Sequence, residues 1–183
     1  ITWTGNSIYS SDVLNEVLKI KKGDVYDVVT MEKRLFGGGK QTEYDITKLY
    51  RDNGYLFFQV NPVEMNIEGD SVDVEIRIVE GKPATLNNVV INGNDLTNER
   101  VIRRQVFTRP GYLFSQTDFE RSIREIASMG QFDPEAIMGE GGYSILPNPM
   151  DNTVDVVYNV TEKPSSQLEL SGGWGGNTFV ATV

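Results

Sequence analysis

The chain has 183 residues, 39% of them hydrophobic and 23% charged, enough to bury a core as one domain or as two small ones. Its net charge of −9 is spread as −5 over residues 1–81, −3 over 82–163 and −1 over the remainder, so no stretch offers the basic face that a nucleic-acid backbone requires. With neither histidine nor cysteine, the commonest metal ligands, the thiol nucleophiles and the usual general base are missing, which disfavours most enzyme classes and implies no cofactor. No uninterrupted apolar run approaches the roughly 20 residues of a membrane-spanning helix.

In chain order, Ile1 to Thr4 reads as part of a strand closed by Gly5-Asn6. Ser10 or Ser11 can cap a helix carrying Val13, Leu14, Val17 and Leu18 as one apolar stripe. The run from Gly37 to Thr42 faintly resembles a phosphate loop, but Gln41 follows Lys40 where Ser or Thr is needed and Arg34 stands at the upstream Gly position. It reads as an insertion between helices. A second helix carries Ile46, Leu49 and Tyr50 and stops at Gly54. Leu56, Phe58 and Val60 then alternate in even register and Val63, Met65 and Ile67 in odd register, predicting a bulge at Asn61-Pro62. Pro62 also assigns this strand, Leu56 to Glu68, to a sheet edge. Val72, Val74, Ile76 and Ile78 alternate with Asp73, Glu75 and Arg77, predicting a strand with one buried face. Pro83 in the short Gly81-Lys82-Pro83 connection predicts limited hinge motion.

The second half repeats the order. Thr85 to Asn92 reads as a strand closed by Gly93-Asn94, and Thr97 or Asn98 can cap a helix through Val101, Ile102 and Val106. A further helix opens on Thr117-Asp118-Phe119-Glu120, read as a capping box, places Phe119, Ile123, Ile126 and Ala127 on one face, and stops at Gly130. Gly142 to Leu146 is a short candidate edge ahead of Pro147 and Pro149, and Val154, Val156, Tyr158 and Val160 alternate in a closing strand. Gly5 and Gly23 recur as Gly93 and Gly111, both 88 residues on, and Glu80 recurs as Glu162, so two homologous units are expected.

This β-α-α-β-β order, with its Gly-Asn pair, its Lys22-Gly23-Asp24 turn and its Gly54-Tyr55 step into strand two, resembles the POTRA domain of BamA-type outer-membrane assembly factors. The resemblance implies an α+β fold of two tandem POTRA domains, each a three-stranded mixed sheet with two helices on one face. It implies a POTRA domain at 1–81, a membrane-proximal one at 82–163, and at 164–183 a linker with the first strand of an outer-membrane β-barrel. Val101-Ile102-Arg103-Arg104 is similar to the paired arginines of the family's last POTRA, and Gln167 to Gly176 resembles its first barrel strand, where Trp174 would join an aromatic belt. One departure is Pro110, standing where well-studied members carry an acidic residue that docks a lipoprotein.

The implied role is non-enzymatic. A periplasmic region at the cell outer membrane would receive unfolded outer-membrane proteins by adding their strands to an exposed edge, with accessory lipoproteins as partners and attachment through a C-terminal barrel. The candidate edge is Leu56, Phe57, Phe58, Gln59 and Val60, and the candidate partner or barrel contacts are Arg103 and Arg104. No catalytic, cofactor or metal residue is expected. The alternative is the POTRA region of a two-partner secretion transporter that exports one polypeptide.

Overall fold

A computed structural model describes residues 1–37, 44–164, 171–175 and 178–182. The first unit runs β1 (Thr2–Thr4), α1 (Ser11–Leu18), α2 (Val28–Phe36), α3 (Ile46–Arg51), β2 (Gln59–Glu68) and β3 (Ser71–Val79). Its sheet has the order β1-β3-β2, with β1 parallel and β2 antiparallel to the central β3. The second runs β4 (Thr85–Asn92), α4 (Glu99–Arg103), α5 (Gln116–Ser128), α6 (Pro134–Met138), β5 (Tyr143–Asn148) and β6 (Thr153–Asn159), with the same mixed topology in the order β4-β6-β5. The expected α+β class of two three-stranded mixed sheets is what these strands form.

Each unit carries one helix more than the two expected. In α2 only Met31 and Leu35 are buried while Val28, Val29 and Phe36 are exposed, so the sequence lacks a clean stripe. In α6 the signal was present: Asp133 caps through its side chain and Pro134 takes the first helical position, where its missing N–H costs nothing. Ser10 caps α1 and Asn98 caps α4, but α5 is capped by Ser115, whose hydroxyl accepts from the Asp118 N–H at 3.2 Å. Thr117 therefore lies inside the first turn and is not the cap.

Each sheet buries one face under its helices. Leu14, Leu18, Leu35, Tyr50 and Ile76 centre the first core, and Leu86, Ile102, Phe114, Phe132, Val156 and Tyr158 the second. Each such side chain contributes about 1.5–3 kcal/mol by leaving water. Beyond them, β7 (Ser171–Gly175) pairs antiparallel with β8 (Thr178–Thr182) as a separate two-stranded ribbon. Ser171 to Gly175 of the expected barrel strand thus pair with Thr178 to Thr182, while residues 167–170 and Gly176 fall outside the described residues, as does the phosphate-loop-like run after Gly37.

One device closes both units. Gly5 and Gly93 adopt positive φ (84° and 86°), and a Cβ at either would collide with a backbone carbonyl, Ile78 O or Val160 O, so only glycine fits. Immediately after, the Glu80 carboxylate accepts from the N–H groups of Ser7 and Ile8, both at 2.9 Å, from the Ser7 hydroxyl, and from the Tyr50 phenol at 2.9 Å. Glu162 repeats the grip on the N–H groups of Leu96 (2.9 Å) and Thr97 (2.6 Å). Burial alone would raise the Glu80 carboxyl, but the hydrogen bonds from Ser7, Ile8 and Tyr50 outweigh it and hold it below its ordinary 4.5. Burial and the neighbouring Glu80 carboxylate push the Tyr50 phenol far up.

Because the folded-state pKa of Glu80 is depressed, its stabilisation is complete above its unfolded value and is lost as pH falls through the folded one. Glu80→Ala should cost about 2–4 kcal/mol at pH 7, since four donors lose one charged acceptor. In denaturant titrations, the stability gap between wild type and Glu80→Gln should shrink as pH is lowered from about 5 to about 3. A gap that stays constant over that range would show that the charge of Glu80 does not hold the turn.

Candidate functional site

The sheet order leaves β2, ten residues long, along one edge of the first sheet with β3 on its other side. Val60 and Pro62, opposite Ile78 and Ile76, face the helices, while Gln59 and Asn61 face away and are exposed. Pairing runs unbroken through Asn61↔Arg77 and Pro62↔Ile76, and the register shifts later, between Glu64 and Asn66. The bulge is therefore at Met65 and not at Asn61-Pro62. The shift in apolar parity misled because the far half of β2 has little cover: Met65 and Ile67 are 53% and 70% exposed, so burial does not discipline their alternation. The Tyr26 phenol, donating to Glu64 Oε1 at 2.8 Å, ties the loop before α2 to this strand.

The five residues expected at the near end of this edge separate into three environments. Gln59 and Val60 belong to β2. Phe58 is buried in the first core, stacked on Tyr50 at 4.1 Å between ring centroids. Leu56 and Phe57 are half-buried against the second core. Tight hydrogen bonds, Leu56 N–H to Gly54 O (2.8 Å) and Phe58 N–H to Tyr55 O (3.2 Å), consume backbone groups that an extended edge would leave open. The strand proper thus begins at Gln59.

Around those residues lies a joint that sequence reasoning missed. Gly54 O accepts from the N–H of Ala84, itself fully buried, at 2.7 Å. At the end of α3, Asp52 accepts from the Thr117 N–H (2.7 Å) and hydroxyl (2.8 Å), serving the orphan donors at the start of α5. Lys48 pairs with Glu120 at 2.9 Å, with both side chains mostly shielded. The cue was the run Leu56-Phe57-Phe58: three adjacent large apolar residues cannot all face one core from a strand of period two. A groove of about 520 Å³ opens beside this joint, lined by Asp52, Phe107, Arg109, Tyr112, Leu113 and Asp118 among others.

Arg103 and Arg104 lie at the end of α4. Both are exposed, but the Arg103 guanidinium pairs with Glu99 through Nε (2.6 Å) and donates through Nη2 to Val89 O of β4 (3.0 Å). The structure brings Arg103 to a strand edge and does not bring it together with the five β2-side residues. Among the described residues, no group of three or more acidic side chains could hold a metal ion, and no helix is long and apolar enough to cross a membrane. The shifted carboxyls all serve caps or turns. Asp27 is lowered by the Thr30 hydroxyl and N–H, and Asp45 is raised by burial against its hydrogen bonds at the start of α3. Among the described residues, the shifted carboxyls are thus engaged in caps and turns.

Comparison with known proteins follows the two-unit pattern. The family model described as POTRA, surface antigen variable number repeat, matches residues 1–81 and again 84–163. The outer membrane protein assembly factor BamA of Neorickettsia risticii is 24% identical over 90% of this chain and 20% of its own length, and that of Neisseria meningitidis is 25% identical over 68% and 15%. This chain therefore spans about a fifth or less of these curated relatives. Among solved structures, BamA from Haemophilus ducreyi lacking POTRA domains 1–3 superposes with a TM-score of 0.66 at 18% identity, covering 94% of this chain and 29% of that one. The POTRA3–5 fragment of Haemophilus influenzae BamA gives 0.58 at 21%, covering 87% and 63%.

The joint makes a mechanical claim. With main-chain, carboxylate and apolar contacts across it, the two units should tumble as one body in NMR relaxation. Asp52→Ala should lower stability by about 1 kcal/mol, as for loss of a helix cap, and increase independent motion. Separate correlation times for the two units in the wild type would refute the rigid joint.

Proposed function

The chain belongs to the POTRA family, and from that premise we propose that it is the periplasmic, polypeptide-receiving part of a BamA-type outer-membrane barrel-assembly factor. Residues 1–81 and 82–163 are its two POTRA domains, the second nearer the membrane, and 164–183 leads into the barrel. Supporting this are the similarity to BamA proteins over most of the chain and the absence of histidine and cysteine, which leaves binding as the chemistry at hand.

The observation that carries the mechanism is the ten-residue edge of β2. An edge strand presents every other N–H and C=O to any extended chain, so it accepts clients of many sequences through main-chain hydrogen bonds. Pro62 fits such an edge, because a proline in a sheet sits where its missing N–H would have faced away from the neighbouring strand. By alternation Val60, Pro62 and Glu64 are then the outward-facing backbone positions, with donors at Val60 and Glu64 and carbonyls at all three. Gln59 and Val60 remain at the acceptor edge, whereas Leu56, Phe57 and Phe58 support it from the joint and the core. Arg104, exposed at the end of α4, is the member of the arginine pair available to an accessory lipoprotein or the barrel.

The test is a photo-crosslinking residue at Asn61 in the intact protein in its own cells, with captured chains identified by mass spectrometry. Many outer-membrane barrel proteins are expected. Capture of one exported polypeptide alone would assign the chain to two-partner secretion, and no capture from Asn61 would remove β2 as the acceptor.

A further inference from the structure

The second sheet carries a feature that the receiving role leaves unexplained: main chain and an arginine cover the outer edge of β4. In strand order β4-β6-β5, β4 is an edge, yet the loop before α5 lies along its start. Leu86 N–H donates to Tyr112 O (2.8 Å), Gly111 N–H to Leu86 O (2.7 Å), and Thr85 pairs with Leu113 as an antiparallel bridge. Backbone groups alternate in direction along a strand. Asn92 O points inward and accepts from Val160 N–H, so Val90 points inward too and Val89 and Ile91 point outward. The register shift between Leu86 and Asn88 reconciles this parity with outward-facing Leu86. The next outward carbonyl after the loop, Val89 O, is the one that Arg103 Nη2 occupies.

We propose that Arg103 is an edge seal: held by Glu99, its guanidinium covers β4 where the 111–114 segment leaves off and confines strand acceptance to β2 of the first unit. Arginine suits the task because its planar fork serves two acceptors in different directions at once, here Glu99 Oε1 and Val89 O. The homologous position, 88 residues earlier, is Asn15, which accepts from the Trp3 indole N–H at 2.8 Å, and Trp3 is the counterpart of Ile91. In both units this helix position is fastened to the outer strand, but only in the second does it take a backbone carbonyl. The remaining edges are poor templates: β1 has three residues, and β5 has six with Pro147 among them. This inference deepens the strand-addition reading, since it names which edge of the pair is closed.

The test uses a ten-residue peptide of alternating valine and threonine with a terminal nitroxide, added to the isotope-labelled 183-residue chain, with amide broadening read by NMR. Wild type should show broadening at residues 59–64 and none at 87–92. Arg103→Met keeps the aliphatic stem and removes the fork, and should add broadening at 87–92 with at least a tenfold gain in affinity there. Glu99→Gln, which loosens the guanidinium without removing it, should give a smaller gain. Absence of broadening at 87–92 in Arg103→Met, whatever happens at β2, overturns the seal, as does binding at β4 in wild type. If β2 binds in neither protein but β4 does in the variant, the seal stands and the β2 reading alone falls.

Discussion

Everything in each unit depends on closing a parallel strand pair whose partners are far apart in the chain. Thr2 pairs with Glu75 and Leu86 with Val154, so the first strand meets its neighbour only after the helices and the second strand have been laid down. The entropy of closing so long a loop rises slowly with length, but the closed ends still need an attachment that unfolded chain lacks. The carboxylate after the central strand supplies it, gripping N–H groups of the turn that follows the first strand. The glycine before that turn lets the two backbones touch. A pair of glycines and a pair of glutamates thus explain why the repeat is most visible where the sequence looks least structured.

What the sequence made legible follows from how local each cause is. The caps, narrowed to Ser10 or Ser11 and to Thr97 or Asn98, the alternation in β3 and β6, and the two-unit repeat rest on interactions between neighbours or on one buried face, and the structure agrees with them. Ser115 was passed over for Thr117 because both precede acidic residues. Asp52, distant in sequence, accepts from the Thr117 N–H and hydroxyl and also from the Ser115 hydroxyl, which in turn accepts from the Asp118 N–H and caps the helix. The bulge at Met65 and the placement of Leu56 and Phe57 were hidden for related reasons. The first depends on where the helix layer stops covering the sheet, and the second on a neighbouring core that no local pattern announces.

Arg103 shows the same limit at the candidate site. Adjacent arginines on a short helix suggest a surface facing a partner, and their similarity to a family pair strengthens that impression. Only the fold shows that one of them turns back onto its own sheet while the other is left outside. The two units share topology and clamp, yet they differ in how their edges are finished. An array in which every edge accepted strands would also pair with itself. With β4 covered, β1 three residues long and β5 interrupted by Pro147, β2 is the long edge that the strand-addition proposal leaves for a client.

The joint gives the long edge of β2 its direction. Gly54 O, Leu56 and Phe57 fasten the entrance of β2 to the second unit, while its far half passes the bulge at Met65 and leaves the cover of the helices. A strand added along β2, as proposed, would therefore be held at one end by a fixed interdomain contact and would meet at the other an edge that twists away, since a bulge increases local twist and interrupts pairing. On the strand-addition proposal, a client would be bound through few main-chain hydrogen bonds, each worth about 0.5–1.5 kcal/mol net, and would be released without an energy source. The proposed weak, sequence-tolerant and directional holding would require a rigid joint more than a tight site.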